Sequence, residues 1–149
     1  MKVQKPVRFF LIVFFTLMIS QQSAASSVIR LNIKTILASQ KSGDIDPSLR
    51  SLANELQTVF KYSSYRLLKQ DDLNLKLKES GQVSLPDNLI MKITPMALSG
   101  DRSTINLEIL SGNRTIFQTV IRLLNKSSIT VGGPKHQGGY LLFNIYNSF

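Results

Sequence analysis

The 149 residues contain no cysteine, no tryptophan and one histidine, His136. The lack of cysteine excludes disulfides, thiolate metal sites and lipid attachment at a cysteine, so the fold must be held by its apolar core alone. A single imidazole also narrows the chemistry. A Ser-His-acid hydrolase would have to use His136, yet no G-x-S-x-G turn is present and His136 lies in a glycine-flanked stretch. A metal centre needs three or four ligands, and one histidine with scattered carboxylates offers no recognisable spacing, so no metal and no cofactor is expected. Acids are scarce, 9 against 18 Lys and Arg. They do not pair as glycoside hydrolysis requires: Asp71-Asp72 reads as a turn, and Glu55, Glu79 and Glu108 read as a helix's polar face, a turn and a strand's polar face.

There is also no apolar run long enough to span a bilayer. Phe9 to Ile19 is apolar except for Thr16, about half of the roughly 20 residues that a spanning helix needs. Lys2, Lys5 and Arg8 precede it, and Ser23-Ala24-Ala25 supplies small residues before Ser26. That order is a cleavable signal peptide over residues 1–25, leaving a single domain over 26–149 without a transmembrane span, in the periplasm or secreted. Three of the basic residues fall in the signal, so the mature chain keeps 15 against 9 acids, a net charge of +6. Such a charge favours anionic surfaces but says nothing of specificity. Nucleic acid fits poorly, because aromatic residues are not interleaved with a basic cluster.

One segment after the signal has a helical repeat. From Asp46 to Phe60, the residues Leu49, Leu52, Ala53, Leu56, Val59 and Phe60 form one apolar stripe, with Asp46 suited to the N-cap and Pro47 to the first turn. The rest alternates with a period of two, the mark of half-buried strands. Val28 to Leu37 is the first strand. Tyr65–Leu68 and Leu73–Leu77 are separated by a turn at Gln70-Asp71-Asp72, and Val83–Leu85 and Leu89–Thr94 by a turn at Pro86-Asp87-Asn88. Pro95 ends its strand, forces a bulge or marks an edge. Ile105–Ile109 and Ile116–Leu124 follow, the latter with Phe117, Ile121 and Leu123 on one face. Ile129–Val131 and a last strand complete the set, with Leu141, Phe143 and Ile145 facing opposite to Tyr140, Leu142, Asn144 and Tyr146. The fold class is therefore α+β and strand-rich: an antiparallel sheet folding into a sandwich or half-barrel, with one amphipathic helix after the first strand.

Gly132-Gly133-Pro134-Lys135-His136-Gln137-Gly138-Gly139 is the most unusual composition outside the signal. Gly133 to Gly138 matches the G-x-x-x-x-G half of a phosphate loop, but Gly139-Tyr140 replaces Lys and Ser/Thr, and a strand follows where a helix should. It reads instead as a hairpin loop whose glycines supply positive φ on both shoulders. Lys135 and His136 at its tip, with Tyr140 and Tyr146 on the face opposite the presumed core, are the candidate partner-binding residues.

Three segments carry a resemblance: Met91-Lys92-Ile93-Thr94-Pro95, Ile105-Asn106-Leu107-Glu108-Ile109, and Ile129-Thr130-Val131-Gly132-Gly133 before a hydrophobic strand. Their order in the C-terminal half resembles the core motifs of outer-membrane secretins. In that family such strands belong to a multimeric membrane-embedded barrel, whereas this chain lacks the long transmembrane hairpins and the upstream ring-building domains. No functional residue carries over. The mature chain as a whole also resembles small uncharacterised exported bacterial proteins with the same helix-then-strands layout.

The expected function is that of a non-enzymatic envelope protein that binds or scaffolds a protein partner, such as an accessory of a secretion or surface-assembly system. The alternative is a hydrolase with an unrecognised polar site. Export is directly testable. Intact-mass analysis of the periplasmic or secreted form should show loss of the first 25 residues or close to it; a full-length membrane-bound product would contradict the assignment.

Overall fold

The computed structural model describes residues 27–41 and 43–149, so the expected signal peptide lies outside the described residues. The chain runs β1 (Ile29–Ser39), a single 3-10 turn (Pro47–Leu49), α1 (Arg50–Val59), β2 (Ser64–Leu75), β3 (Gly81–Ser84), β4 (Leu89–Ser99), β5 (Arg102–Ser111), β6 (Arg114–Leu124), β7 (Ser127–His136) and β8 (Gly139–Ser148). These strands form two four-stranded antiparallel sheets, ordered β2-β1-β8-β7 and β3-β4-β5-β6. One helix after the first strand, in a strand-rich α+β chain, is the expected layout.

Period-two alternation drives the main core. Ile29, Leu31 and Ile33 of β1 and Leu141, Phe143 and Ile145 of β8 point to the same side of the first sheet. Met91 and Ile93 of β4, Ile105, Leu107 and Ile109 of β5, and Ile121 and Leu123 of β6 join them in one buried cluster drawn from both sheets. The chain passes between the sheets at two places. After β2 it turns through Lys78, in the left-handed region at φ 66°, and after β6 through Lys126 at φ 59°. The second crossing is fastened by side chains. Buried Asn147 accepts from Ser103 Oγ at 2.7 Å and donates to the Leu124 and Ser127 carbonyls at 2.8 and 3.2 Å. Asn125 holds both the carbonyl and the amide of Phe149, at 2.8 and 3.0 Å. Fully satisfied buried amides of this kind fix register where an apolar residue would not.

The first sheet is packed on its other face as well. Ile36 and Ala38 of β1, Leu142 of β8 and Tyr65 of β2 form a second cluster with Leu49, Ala53 and Leu56. The start of the helical segment follows its sequence. Ser48 donates its hydroxyl and amide to Asp46 Oδ1 at 2.6 and 2.9 Å, and the hydroxyl bond first, then the amide, holds the Asp46 carboxyl below the ordinary carboxylate range. That contribution to stability is present above the unfolded pKa and is lost as pH falls through the folded one. Asp46 caps the 3-10 turn, whereas the N-cap of α1 is Leu49, without a side-chain bond.

Several expectations are corrected. Val59 is 74% exposed. At 100° per residue it lies about 90° from the line of Leu49, Ala53, Leu56 and Phe60, so the buried stripe is narrower than the apolar positions suggested. No turn occurs at Gln70-Asp71-Asp72. β2 is continuous over Ser64–Leu75, with a register break opposite Thr35/Ile36 of β1. Its polar residues find partners across and along the strand, Asn32 Nδ2 to Asp72 Oδ1 at 2.7 Å and Lys69 Nζ to Asp71 Oδ1 at 2.9 Å. Leu77 is outside the strand and exposed. Phe117 lies opposite buried Ile109 yet is itself 37% exposed, because β6 is the outermost strand of its sheet. Pro95 forces a bulge, the register slipping between Pro95 and Ala97 while β4 continues to Ser99.

The helix packing has a measurable consequence. Leu56→Ala should lower unfolding stability by about 2–5 kcal/mol, because a buried leucine leaves a cavity against the first sheet. Val59→Ala should stay within about 0.5 kcal/mol of the parent. Equal shifts of the denaturant midpoint in the two variants would show that α1 is not packed as described.

Candidate functional site

The glycine-rich segment is mostly strand. β7 extends through Gly132, Gly133, Pro134 and Lys135 to His136, with a register break between Gly132 and Lys135. The expected eight-residue loop reduces to a two-residue turn, Gln137 at φ 46° and Gly138 at φ 76°, the conformation of a tight hairpin turn. Of the four glycines in the segment, only Gly138 has positive φ. Gly133 and Gly139 are required by close packing instead: a Cβ on Gly133 would strike the Phe143 ring, and one on Gly139 would strike the Ala38 carbonyl of β1. The glycines therefore press the hairpin onto the first sheet.

That placement sets the geometry of the tip. Lys135 pairs with Tyr140 and His136 with Gly139. The Lys135 ammonium lies 5.8 Å from the centroid of the Tyr140 ring, within the range of a cation–π contact. Tyr140 in turn lies 6.0 Å from Tyr62, which stacks on Phe60 at 6.3 Å. A row of three aromatic rings thus runs from the end of α1 to the cation. Tyr140 is 37% exposed, so the row is open to solvent at the lysine end.

His136 points the other way. Its Nδ1 is 2.7 Å from Oδ2 of Asp87, with the imidazole 9% exposed and the carboxylate 56% exposed. Asp87 stands at φ 60° in the turn between β3 and β4. The pair therefore joins the tip of the first sheet to a turn of the second. The cavity beside it, about 420 Å³, is lined by Asp87, Lys135, His136, Gln137, Gly138, Gly139 and Tyr140. Among the described residues no serine, threonine or cysteine lines it. Among the described residues no three His, Cys, Asp or Glu side chains gather to hold a metal.

A second cleft, about 510 Å³, adjoins the tip through Gln137. Lys41, Asp44, Asp46, Tyr65 and Arg66 line it. Arg66 Nη2 reaches Gln137 Oε1 at 3.5 Å, and burial, followed by the charge of Tyr62, raises the Tyr65 hydroxyl above the ordinary tyrosine range.

Lys135, His136 and Tyr140 are thus brought together, but Tyr146 is not. It lies six residues further along β8, about 20 Å at 3.4 Å per residue, and lines a separate polar groove with Asn32, Lys34, Glu55 and Asn144. Sequence reasoning did not associate Asp87 or Tyr62 with the tip. Asp87 has the composition of an ordinary turn, and its contact with His136 spans 49 residues, so no local pattern could reveal it. No family model matches the chain, and comparison with characterised proteins and with solved structures finds no match.

Proposed function

We propose that this chain is an exported, non-enzymatic protein of the cell envelope, periplasmic or secreted, whose two sheets close as a sandwich that serves as a binding or scaffold module. The observation that carries the reading is the hairpin tip. It combines a tight hairpin turn, a tyrosine 37% exposed and a cation over its ring that has no ion pair among the described residues, with the histidine turned inward as a brace. Tyrosine is favoured at protein interfaces because it combines apolar area and a hydroxyl with few rotatable bonds, and Lys135 adds a positive charge beside it. The partner is an envelope protein, or an assembly of the secretion or surface type, that presents an acidic or aromatic-accepting patch. Among the described residues no helix is long and apolar enough to cross a membrane. The alternative is a hydrolase with an unrecognised polar site; among the described residues no serine, threonine or cysteine lines the cavity beside His136.

The reading is tested by two substitutions at the tip. Lys135→Glu should weaken capture of envelope partners, scored by cross-linking from the native envelope, while leaving the unfolding midpoint within about 0.5 kcal/mol of the parent. Tyr140→Ser should act the same way, since its ring is only half covered. Unchanged capture in both variants would remove the tip from consideration.

A further inference from the structure

Four strands lie at sheet edges: β2 and β7 in the first sheet, β3 and β6 in the second. An edge strand presents a row of unpaired N–H and C=O groups, and natural sheets blunt such rows with short strands, prolines, bulges or charges. Three of the four edges carry these devices. β3 has only four residues. β7 contains Gly132, Gly133 and Pro134 with a register break among them. β2 carries Lys69, Asp71 and Asp72 in its middle, has a register break, and its start is bridged by Ile45.

β6 is different. It is 11 residues long with neither proline nor glycine, and its register break falls near its N-terminal end, leaving Phe117 to Leu124 in unbroken register with β5. Four of its exposed side chains are large and apolar, Ile116, Phe117, Val120 and Leu124, exposed by 42, 37, 57 and 42%, and Arg114, Thr115, Gln118 and Arg122 are exposed beside them. Phe117 extends the line of core-facing residues past the point where the core covers it, and Val120 lies on the outer face. One added strand would cover both.

Charge selects the occupant. β6 contains Arg114 and Arg122 and no acid, and it is flanked by Arg102, paired with Leu124, and by Lys126. None of these four cations forms an ion pair among the described residues; Asp101 lies beside Arg102 and takes the Asn125 amide on its carbonyl at 2.7 Å, and Glu108, opposite Gln118, is engaged by Lys92 at 3.4 Å. A second copy of this chain would bring like charges together along the new pairing, on a mature domain with 15 Lys and Arg against 9 acids, a net +6. A lipid surface would leave the backbone row unpaired. An extended segment of another protein satisfies the row and, with carboxylates, the arginines.

We propose that β6 is a docking edge that accepts, by strand addition, an extended segment of a different protein in which apolar residues alternate with Asp or Glu. This surface is separate from the hairpin tip, although the proposal rests on reading the chain as a binding module. Recognition of this type draws affinity from main-chain hydrogen bonds and specificity from alternate side chains.

The test uses the whole domain and labelled peptides of about ten residues, the span of one strand: one alternating Val and Glu, one alternating Val and Lys, and one of the first composition in scrambled order. The Val/Glu peptide should bind at least about tenfold tighter than either comparator and weaken as salt rises, because part of the attraction is between exposed charges. It should slow hydrogen exchange at amides within residues 117–124. Arg122→Glu should reverse the preference toward the Val/Lys peptide with no change in the unfolding midpoint, and Lys135→Glu should leave peptide binding unaltered. Equal binding of the scrambled peptide, protection confined to other strands, dimerisation of the free protein through β6, or stronger protection of β6 by anionic phospholipid vesicles would each overturn the proposal. Any of those outcomes would leave the role of the tip to stand or fall on its own variants.

Discussion

The two-faced burial of β1 and β8 is the constraint on which the rest of the structure depends. Ile33 and Phe143 point into the core shared by both sheets, while Ile36 and Leu142 point out beneath α1. Leu141, Leu142 and Phe143 are all nearly inaccessible. A strand covered on both faces cannot shift by one residue without exchanging its two apolar sets, and neither core would accept the other's shapes. The register of the β1–β8 pair therefore fixes where α1 lies and how the hairpin tip meets the turn of the second sheet.

How far this was legible in the sequence depended on the range of the interaction. Alternation identified strands β4 and β5 and the inward face of β8, and the turn at Asp87-Asn88 was marked by residues that tolerate positive φ. Three features were not legible, each for a stated reason. Polar Gln70, Asp71 and Asp72 have turn composition, yet pairing of β2 along all of β1 overrides local preference. Gly133 and Gly139 suggested a loop, because composition cannot distinguish a glycine chosen for φ from one chosen for contact with Phe143 or Ala38. Val59 belonged to an apolar list but not to the buried stripe, since the second cluster is only as wide as Ile36, Ala38 and Leu142 allow.

The candidate site shows the same division. Lys135, His136 and Tyr140 are close in sequence and remain close in space, but their roles separate: the histidine braces against Asp87 and the lysine stays with the tyrosine. Tyr146 shares their face of β8 and none of their surroundings. The long edge at β6, with its exposed apolar residues, could be inferred only by comparing all four edges, which requires the strand order. The exposed side chains of both surfaces, Lys135 and Tyr140 at the tip and Val120 and Arg122 on β6, lie outside both core clusters, where substitutions usually cost the fold little.

Site-resolved native-state hydrogen exchange tests the dependence on β1 and β8 most directly. The account predicts that amides at Ile33, Ile36, Leu142 and Phe143 exchange only through global unfolding, with an opening free energy equal to that from denaturant, while β6 and the β7–β8 turn open at lower cost. Exchange of β1 amides through a local opening, at a free energy below that of the β4–β5 pair, would contradict it.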